Sequence, residues 1–444
     1  MQKVLVLGAG LVAKPLVEYL LMCGYHVDIA SNTVEAATSI LKGHPNGKSI
    51  FWEAVDTHHL DKMVAGSDIV VSLLPYSFHP VAARSCLKHI KSMVTTSYVK
   101  DEMAQMDTEA RDKGVVFLNE TGLDPGIDHM TAMRIIDNVR SKGGTIDKFY
   151  SICGALISPE YADNPMKYKF SWSPKGVITA SKNGALYLKN GKQVKIDPID
   201  LFKDRFDYDV PGVGTLEVYP NRDSVSYAEI YGIPGATTLY RGTFRLKGWC
   251  ETLDAMKALG MLDSEPSDFS GQSYRDFMER LIPGGEGTLE DRIAGYLHTG
   301  TESTAIESLR WLGLFSTTGM NRGKCAPFDI ISDLMISKMM LGKNEKDMTV
   351  LQHLFQASYP DGKSEVISSH MVDYGSPATN TSIARTVGLP AAIAAKLILE
   401  GKINVSGVYR PVIPEIYIPV LEELEKMDIK IIEEFGLSPD RMIG

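Results

Sequence analysis

The sequence runs from Val4-Leu5-Val6-Leu7 straight into Gly8-Ala9-Gly10-Leu11-Val12-Ala13. A continuous apolar run of this length is the signature of a strand buried on both faces. The two glycines let the backbone turn tightly at its carboxyl end and approach a ligand closely. Residues 11–23 then have helical spacing, with Pro15 in the first turn and Gly24 as the stop. A strand, a glycine turn and a helix N-terminus cradle a pyrophosphate, because free N–H groups and the helix dipole point at it. Ala13 holds the third glycine position, a replacement that the wider fingerprint permits.

Strand-like runs recur at 25–30, 49–52, 69–74, 93–96 and 115–118, with helical stretches between them, notably 80–90 and 102–113. That alternation predicts an α/β fold, with a Rossmann-type doubly wound parallel sheet over residues 1–125. A helix at 127–142 leads out of it, and strands mixed with Gly/Pro-rich loops follow. Helical spacing dominates 251–345. Two strands around Pro360-Asp361-Gly362 and a long apolar helix at 383–399 complete the chain. The expected domains are therefore a dinucleotide-binding unit at 1–125 with helices of 380–444 packing back on it. A mixed-sheet α/β substrate-binding and dimerisation domain takes 126–250 and 346–379, and a small all-helical insertion takes 251–345. A chain of 444 residues is long enough to need several cores.

A net charge of −9 disfavours nucleic acid or anionic membrane as the main partner. The five cysteines are scattered without CxxC spacing, which suits a reducing compartment and offers no zinc site. No basic leader opens the sequence, and no stretch reaches the roughly 18 apolar residues of a membrane span. The expectation is a cytoplasmic protein with a small-molecule substrate and no metal. His58-His59 and Asp128-His129 lack a third ligand at metal spacing and read as ordinary.

In a doubly wound sheet, ligands lie outside the carboxyl ends of the strands. The residues there are Ala30-Ser31-Asn32-Thr33, Leu74-Pro75-Tyr76, Thr96-Ser97-Tyr98 and Leu123-Asp124. An acid at the end of the second strand would select NAD and an arginine NADP; this chain has neither, so both cofactors stay open with a lean to NADP. Ser31 or Thr33 serves equally well as an ordinary helix cap. Asp124 reads either as a site carboxylate or as a turn carboxylate. Arg222 and Arg241 are candidates for gripping carboxylates in bidentate fashion, while Cys153 reads first as a buried thiol.

Longer blocks narrow the reading. SLLPYSFHPVA at 72–82, VTTSYV at 94–99, TGLDPGIDHM at 121–130, DNPMKYKFSWSPKGV at 163–177, YPNRDS at 219–224 and RGTFRLKG at 241–248 resemble the glutamate-forming saccharopine dehydrogenases, also called saccharopine reductases. The resemblance covers nearly the whole chain and implies reversible, NAD(P)-dependent interconversion of saccharopine with 2-aminoadipate 6-semialdehyde and glutamate through an imine. It places Ser97, Tyr98, Asp124, Arg222, Arg241, Gly242 and Thr243 at substrate positions. Gly8, Ala9, Gly10, Leu11, Val12, Ser31, Asn32, Thr33, Leu74, Thr96 and Leu123 fall at cofactor positions. Asp124, Tyr98 or Cys153 would assist proton transfer, and a homodimer is implied. Asn32 departs from the family pattern, standing where fungal members carry Arg and animal members Asp. Two alternatives are a carboxynorspermidine-type imine reductase, whose polyamine substrate calls for acidic pocket residues, and an inactive nucleotide-binding homologue, which predicts broken substrate blocks.

Overall fold

Val4 to Leu7 form the buried body of β1 (Lys3–Leu7). In the computed structural model, which describes residues 1–443, β1 pairs in parallel with β2 (His26–Ser31) and β4 (Ile69–Ser72). β3 (Gly47–Phe51) lies beyond β2, and β5 (Ser92–Thr95) and β6 (Val116–Leu118) lie beyond β4, all in parallel register. Helices make the crossovers: α1 (Ala13–Met22), α2 (Val34–Leu41), α3 (Thr57–Ala65) and α4 (His79–His89). The strand order reverses between β1 and β4, so the loops after these two strands flank the switch point where doubly wound sheets bind ligands.

The Rossmann-type expectation is met, with two departures. The single helix expected at 102–113 is broken into α5 (Asp101–Ala104) and α6 (Asp107–Asp112). A seventh strand, Gly407–Tyr409, adds in parallel to β6 from the far end of the chain. The apolar helix Ser382–Leu399 packs back on this unit as expected; by length and composition alone it could cross a membrane, but Arg385 and Lys396 interrupt its apolar run. It is mostly buried within the fold and packs on α1. A Cβ on its Gly388 would lie 2.7 Å from the Val12 carbonyl oxygen, so only glycine permits this approach.

The chain divides into two compact units. The first comprises Met1–Asp147, Glu229–Gly235 and everything from Leu351 onward. Besides the parallel sheet it holds α7 (Ile127–Ser141) and an antiparallel ladder between Ser364–Tyr374 and Ile432–Leu437. The expected turn at Pro360–Gly362 is present, closed by the Gly362 N–H on the Tyr359 carbonyl at 3.0 Å.

The second unit comprises Lys148–Ala228 and Ala236–Val350. Its strands follow in the chain as β7 (Thr145–Ile157, whose first residues belong to the first unit), β8 (Ala185–Lys189), β9 (Lys192–Ile196), β10 (Phe206–Val210), β11 (Gly214–Pro220), β12 (Arg222–Asp223) and β13 (Thr238–Arg245). β13 pairs in parallel with β7 and antiparallel with β11, which makes the sheet mixed as expected. Helices Trp249–Ala258, Tyr274–Arg280, Leu289–Tyr296, Thr304–Leu312 and Pro327–Met339 enclose a core of Trp249, Leu253, Phe277, Ile293, Ile306 and Met335. Reciprocal capping boxes at Ser273/Asp276 and Thr288/Asp291 fix where two of these helices start. This region is not all-helical: Ser267–Asp268 and Lys324–Cys325 form a short antiparallel ladder. Two-residue strands carry no alternation for a sequence reading to find.

Candidate active site

The glycine turn is shaped to receive an anion. Gly8 has φ +104°, a conformation that disfavours any residue with a Cβ, and such an atom would meet the Leu73 carbonyl at 3.4 Å. Gly10 has open space where its Cβ would be. The N-terminus of α1 has no side-chain cap and no acidic residue in its first turn, which leaves N–H groups and the positive dipole end available. Leu11 is exposed beside it although apolar. At the end of β2, the Ser31 hydroxyl accepts the Thr33 N–H at 3.1 Å, so Ser31 acts in the turn. Asn32 and Thr33 are exposed, and the Thr33 hydroxyl donates to Asn32 Oδ1 at 3.3 Å. Leu74 and Thr96 are half-buried at the strand ends, and Leu123 is buried. These features suit the anionic pyrophosphate of a dinucleotide at the turn.

Ser97 is not an isolated hydroxyl. His79, the first residue of α4, is buried with Nε2 2.8 Å from Ser97 Oγ and 3.1 Å from Thr95 Oγ1. Its Nδ1 lies 3.0 Å from Ser72 Oγ. Burial pushes the imidazole down to about 4, so the ring is neutral and its two nitrogens differ, one donating and one accepting.

Tyr98 and Asp124 are brought together, the phenol donating to Asp124 Oδ1 at 3.4 Å. Asp124 stands in a tight loop with a cis peptide to Pro125. Gly126 takes the N-cap position of α7 and has φ +150°. A Cβ there would lie 2.0 Å from the Gly122 carbonyl oxygen, so the loop demands glycine. The side chain that closes this turn is Asp128, whose carboxylate accepts the Gly126 N–H at 2.5 Å.

In the second unit, Arg241, Thr243 and Arg245 alternate along β13 and therefore share one face of the sheet. Cys153 on β7 is the register partner of Thr243, so the expected thiol and the expected hydroxyl are neighbours. Arg241 is buried; its Nη1 donates to the Tyr227 hydroxyl at 2.7 Å, and its guanidinium carbon lies 4.3 Å from the centre of that ring. Gly242 points the other way, where a Cβ would meet Tyr240 at 2.7 Å. Arg222 differs from Arg241 in being exposed, with a left-handed φ of 53°. It lines an open concavity of about 490 Å³ with Asn183, Lys195 and Asp223.

Sequence reasoning passed over four of the side chains most deeply built into these clusters. His79 lies within the 72–82 stretch, but one histidine before a proline has no spacing signal. Glu120, buried 2.7 Å from His129, looked like a loop polar residue, and His129 was weighed only as a metal ligand beside Asp128 and read as ordinary. Arg245 was accessible to the strand period of two, which places it beside Arg241 and Thr243. Its guanidinium is buried against the rings of Tyr168, Trp249 and Tyr219 at 5.1, 5.6 and 5.9 Å, and among the described residues its Nε has no partner. A buried charge with an unmet N–H is costly unless a further acceptor meets it.

Comparison with known proteins covers both halves of this arrangement. The saccharopine dehydrogenase NADP binding domain family matches residues 4–118, and the saccharopine dehydrogenase C-terminal domain family matches residues 122–429. The chain is 36% identical to the saccharopine dehydrogenase [NADP(+), L-glutamate-forming] of Schizosaccharomyces pombe, across 98% of this chain and 99% of that one. It is also 36% identical to the mitochondrial alpha-aminoadipic semialdehyde synthase of Bos taurus, across 96% of this chain but 47% of that longer protein. The apo saccharopine dehydrogenase (L-Glu forming) of Saccharomyces cerevisiae superposes with a TM-score of 0.90 at 35% identity, covering 98% of this chain and all of that one. With an intact glycine turn, a β13 face carrying two guanidinium groups and full-length similarity on both sides of residue 120, the chain belongs to the saccharopine dehydrogenase family.

Proposed function

We propose that this protein is an NADP-dependent, L-glutamate-forming saccharopine dehydrogenase that interconverts saccharopine with 2-aminoadipate 6-semialdehyde and glutamate in lysine metabolism. The observation that carries the reading is the end-to-end similarity to fungal enzymes of that name, with neither half missing. Bound NADP supplies the hydride acceptor. In the oxidative direction, hydride leaves the carbon next to the secondary amine, the amine loses its proton, and water adds to the resulting imine. Collapse of that adduct breaks the carbon–nitrogen bond and releases glutamate and the aldehyde.

The chain's own residues have three tasks. Gly8 to Val12 hold the pyrophosphate, with Asn32 facing the ribose. Tyr98 and Asp124 take and return the proton of the nitrogen, a role suited to a carboxylate beside a phenol. Arg222, Arg241 and Arg245 bind carboxylates, of which saccharopine has three. Two buried guanidinium groups beside Thr243 and Cys153 oppose a polyamine substrate, which would need acidic residues there. Cytoplasmic location and a homodimer belong to the same proposal, and a pure monomer in sedimentation at micromolar concentration would remove the dimer.

The test is the purified protein with saccharopine and either NADP or NAD, followed at the nicotinamide absorbance. Saccharopine-dependent reduction, with glutamate among the products, is expected. No turnover with either cofactor would overturn the reading.

A further inference from the structure

Three polar groups converge on the Glu120 carboxylate, which is 2% exposed. The Val99 N–H donates to Oε1 at 2.9 Å, and Arg410 Nε donates to the same oxygen at 2.8 Å. His129 Nε2 reaches Oε2 at 2.7 Å. An ionised carboxylate only accepts, so His129 Nε2 carries a proton; its Nδ1 meets the Tyr231 hydroxyl at 2.7 Å. Burial pushes the Glu120 carboxyl up. The His129 hydrogen bond and charge, the Arg410 guanidinium and the Val99 amide outweigh that and hold it below the ordinary carboxylate range.

The backbone is tied at the same place. Glu120 N–H donates to the Ser97 carbonyl at 3.0 Å, and Thr121 N–H to the Thr95 carbonyl at 3.1 Å. Glu120 itself adopts φ +56°, a conformation that residues with a Cβ avoid unless their surroundings impose it. Stability alone does not call for such a junction, since a buried ion pair can often be replaced by apolar side chains without loss.

The junction joins two segments that matter chemically. Val99 follows Tyr98, and Glu120 precedes Asp124 in the same loop. The Tyr98–Asp124 contact, at 3.4 Å, is too long for a strong hydroxyl–carboxylate bond, so it does not set the spacing of the pair. Their backbones do. We propose that Glu120 is a positioning residue for the reaction, fixing the Tyr98 segment against the Asp124 loop and so deciding where the substrate nitrogen meets that pair. The inference rests on the saccharopine reading above.

Glu120→Gln keeps the volume and an acceptor for Val99 and Arg410 but loses the charge; Arg410→Met removes one donor and spares the other two. In the saccharopine assay, Glu120→Gln should lower kcat/KM for saccharopine about ten- to hundredfold per NADP-binding molecule, since small misplacements of reacting groups have effects of that size. The NADP KM should move by no more than about twofold, because the cofactor is held mainly at Gly8 to Asn32. Arg410→Met should give a smaller change in the same direction. A purely structural role would lower the number of NADP-binding molecules and leave kcat/KM per binding molecule alone; that pattern, or an NADP KM that rises as far as kcat/KM for saccharopine falls, overturns the proposal. Amide hydrogen exchange gives a readout without substrate: Glu120→Gln should speed exchange at both 97–100 and 121–126. If the parent enzyme ignores saccharopine, the functional reading fails, and unchanged exchange in these two segments would still overturn the positioning role independently.

Discussion

His79 makes the fold acid-sensitive, by an amount that follows from its surroundings. The ring is 2% exposed among Ser72, Thr95 and Ser97, and burial lowers its value from 6.5 to about 4. The folded value lies below the unfolded one, so the unfolded chain takes up the proton first as pH falls. His79 therefore costs nothing above about pH 7, loses stability progressively between 6.5 and 4, and has no further effect below that. From the two values, linkage gives a penalty of about 0.2 kcal/mol at pH 7 and about 2 kcal/mol at pH 5. His79→Gln removes the titration while keeping an amide near the Nε2 position. Urea unfolding at pH 7 and pH 5 should show the parent losing about 2 kcal/mol more than the variant across that interval, a difference of about 0.5 M or less in midpoint because m grows with chain size. Equal losses in the two proteins would mean that the folded ring takes a proton as readily as the unfolded one, and the neutral, buried assignment would be wrong.

Cofactor choice should respond to Asn32, which is exposed at the end of β2. Asn32→Asp should lower the NADP-to-NAD ratio of kcat/KM and Asn32→Arg raise it, each by about one to two decades; a constant ratio across all three proteins would take Asn32 away from the ribose. Arg222→Ala should raise the saccharopine KM by about ten- to hundredfold, the value of one charge-assisted contact, without changing NADP affinity. Its exposure rules out the larger penalty of breaking a buried pair, and unchanged saccharopine kinetics would remove it from the site. Gly388→Ala should destabilise by about 1–3 kcal/mol, because its Cβ must displace the Val12 carbonyl. Weaker NADP binding should accompany the lower Tm, and an unaltered melting curve would show that the two helices can separate at no cost.

The readable part of this molecule was local. Gly8, Gly10 and the apolar run before them announce their own turn, and the Pro360–Gly362 hairpin does the same. Residues at strand ends could be assigned to the ligand side because a parallel sheet puts them there. What escaped was set by partners remote in sequence. Arg410 reaches Glu120 across 290 positions, so neither side chain advertises the pair. The three-residue strand at Gly407 is too short to show a period, and a carboxylate and a histidine in the Asp124 region gave no hint that they are buried together. Arg245 is different: strand alternation alone places it beside Arg241 and Thr243, so its position was legible in the sequence.

The strand Gly407–Tyr409 and the helix Ser382–Leu399 have a consequence for how the protein is made. Both complete the unit that begins at Met1, one covering the edge of β6 and the other the face of α1. Synthesis runs from the N-terminus, so the first strands leave the ribosome long before their covering pieces exist. Until residues near 410 emerge, β6 keeps an open edge, and Arg410 is not there to reach Glu120. A fragment ending at 118 or 147 would keep the glycine turn and still lack the packing behind it. The nucleotide-binding half is first in the sequence and among the last parts to be finished.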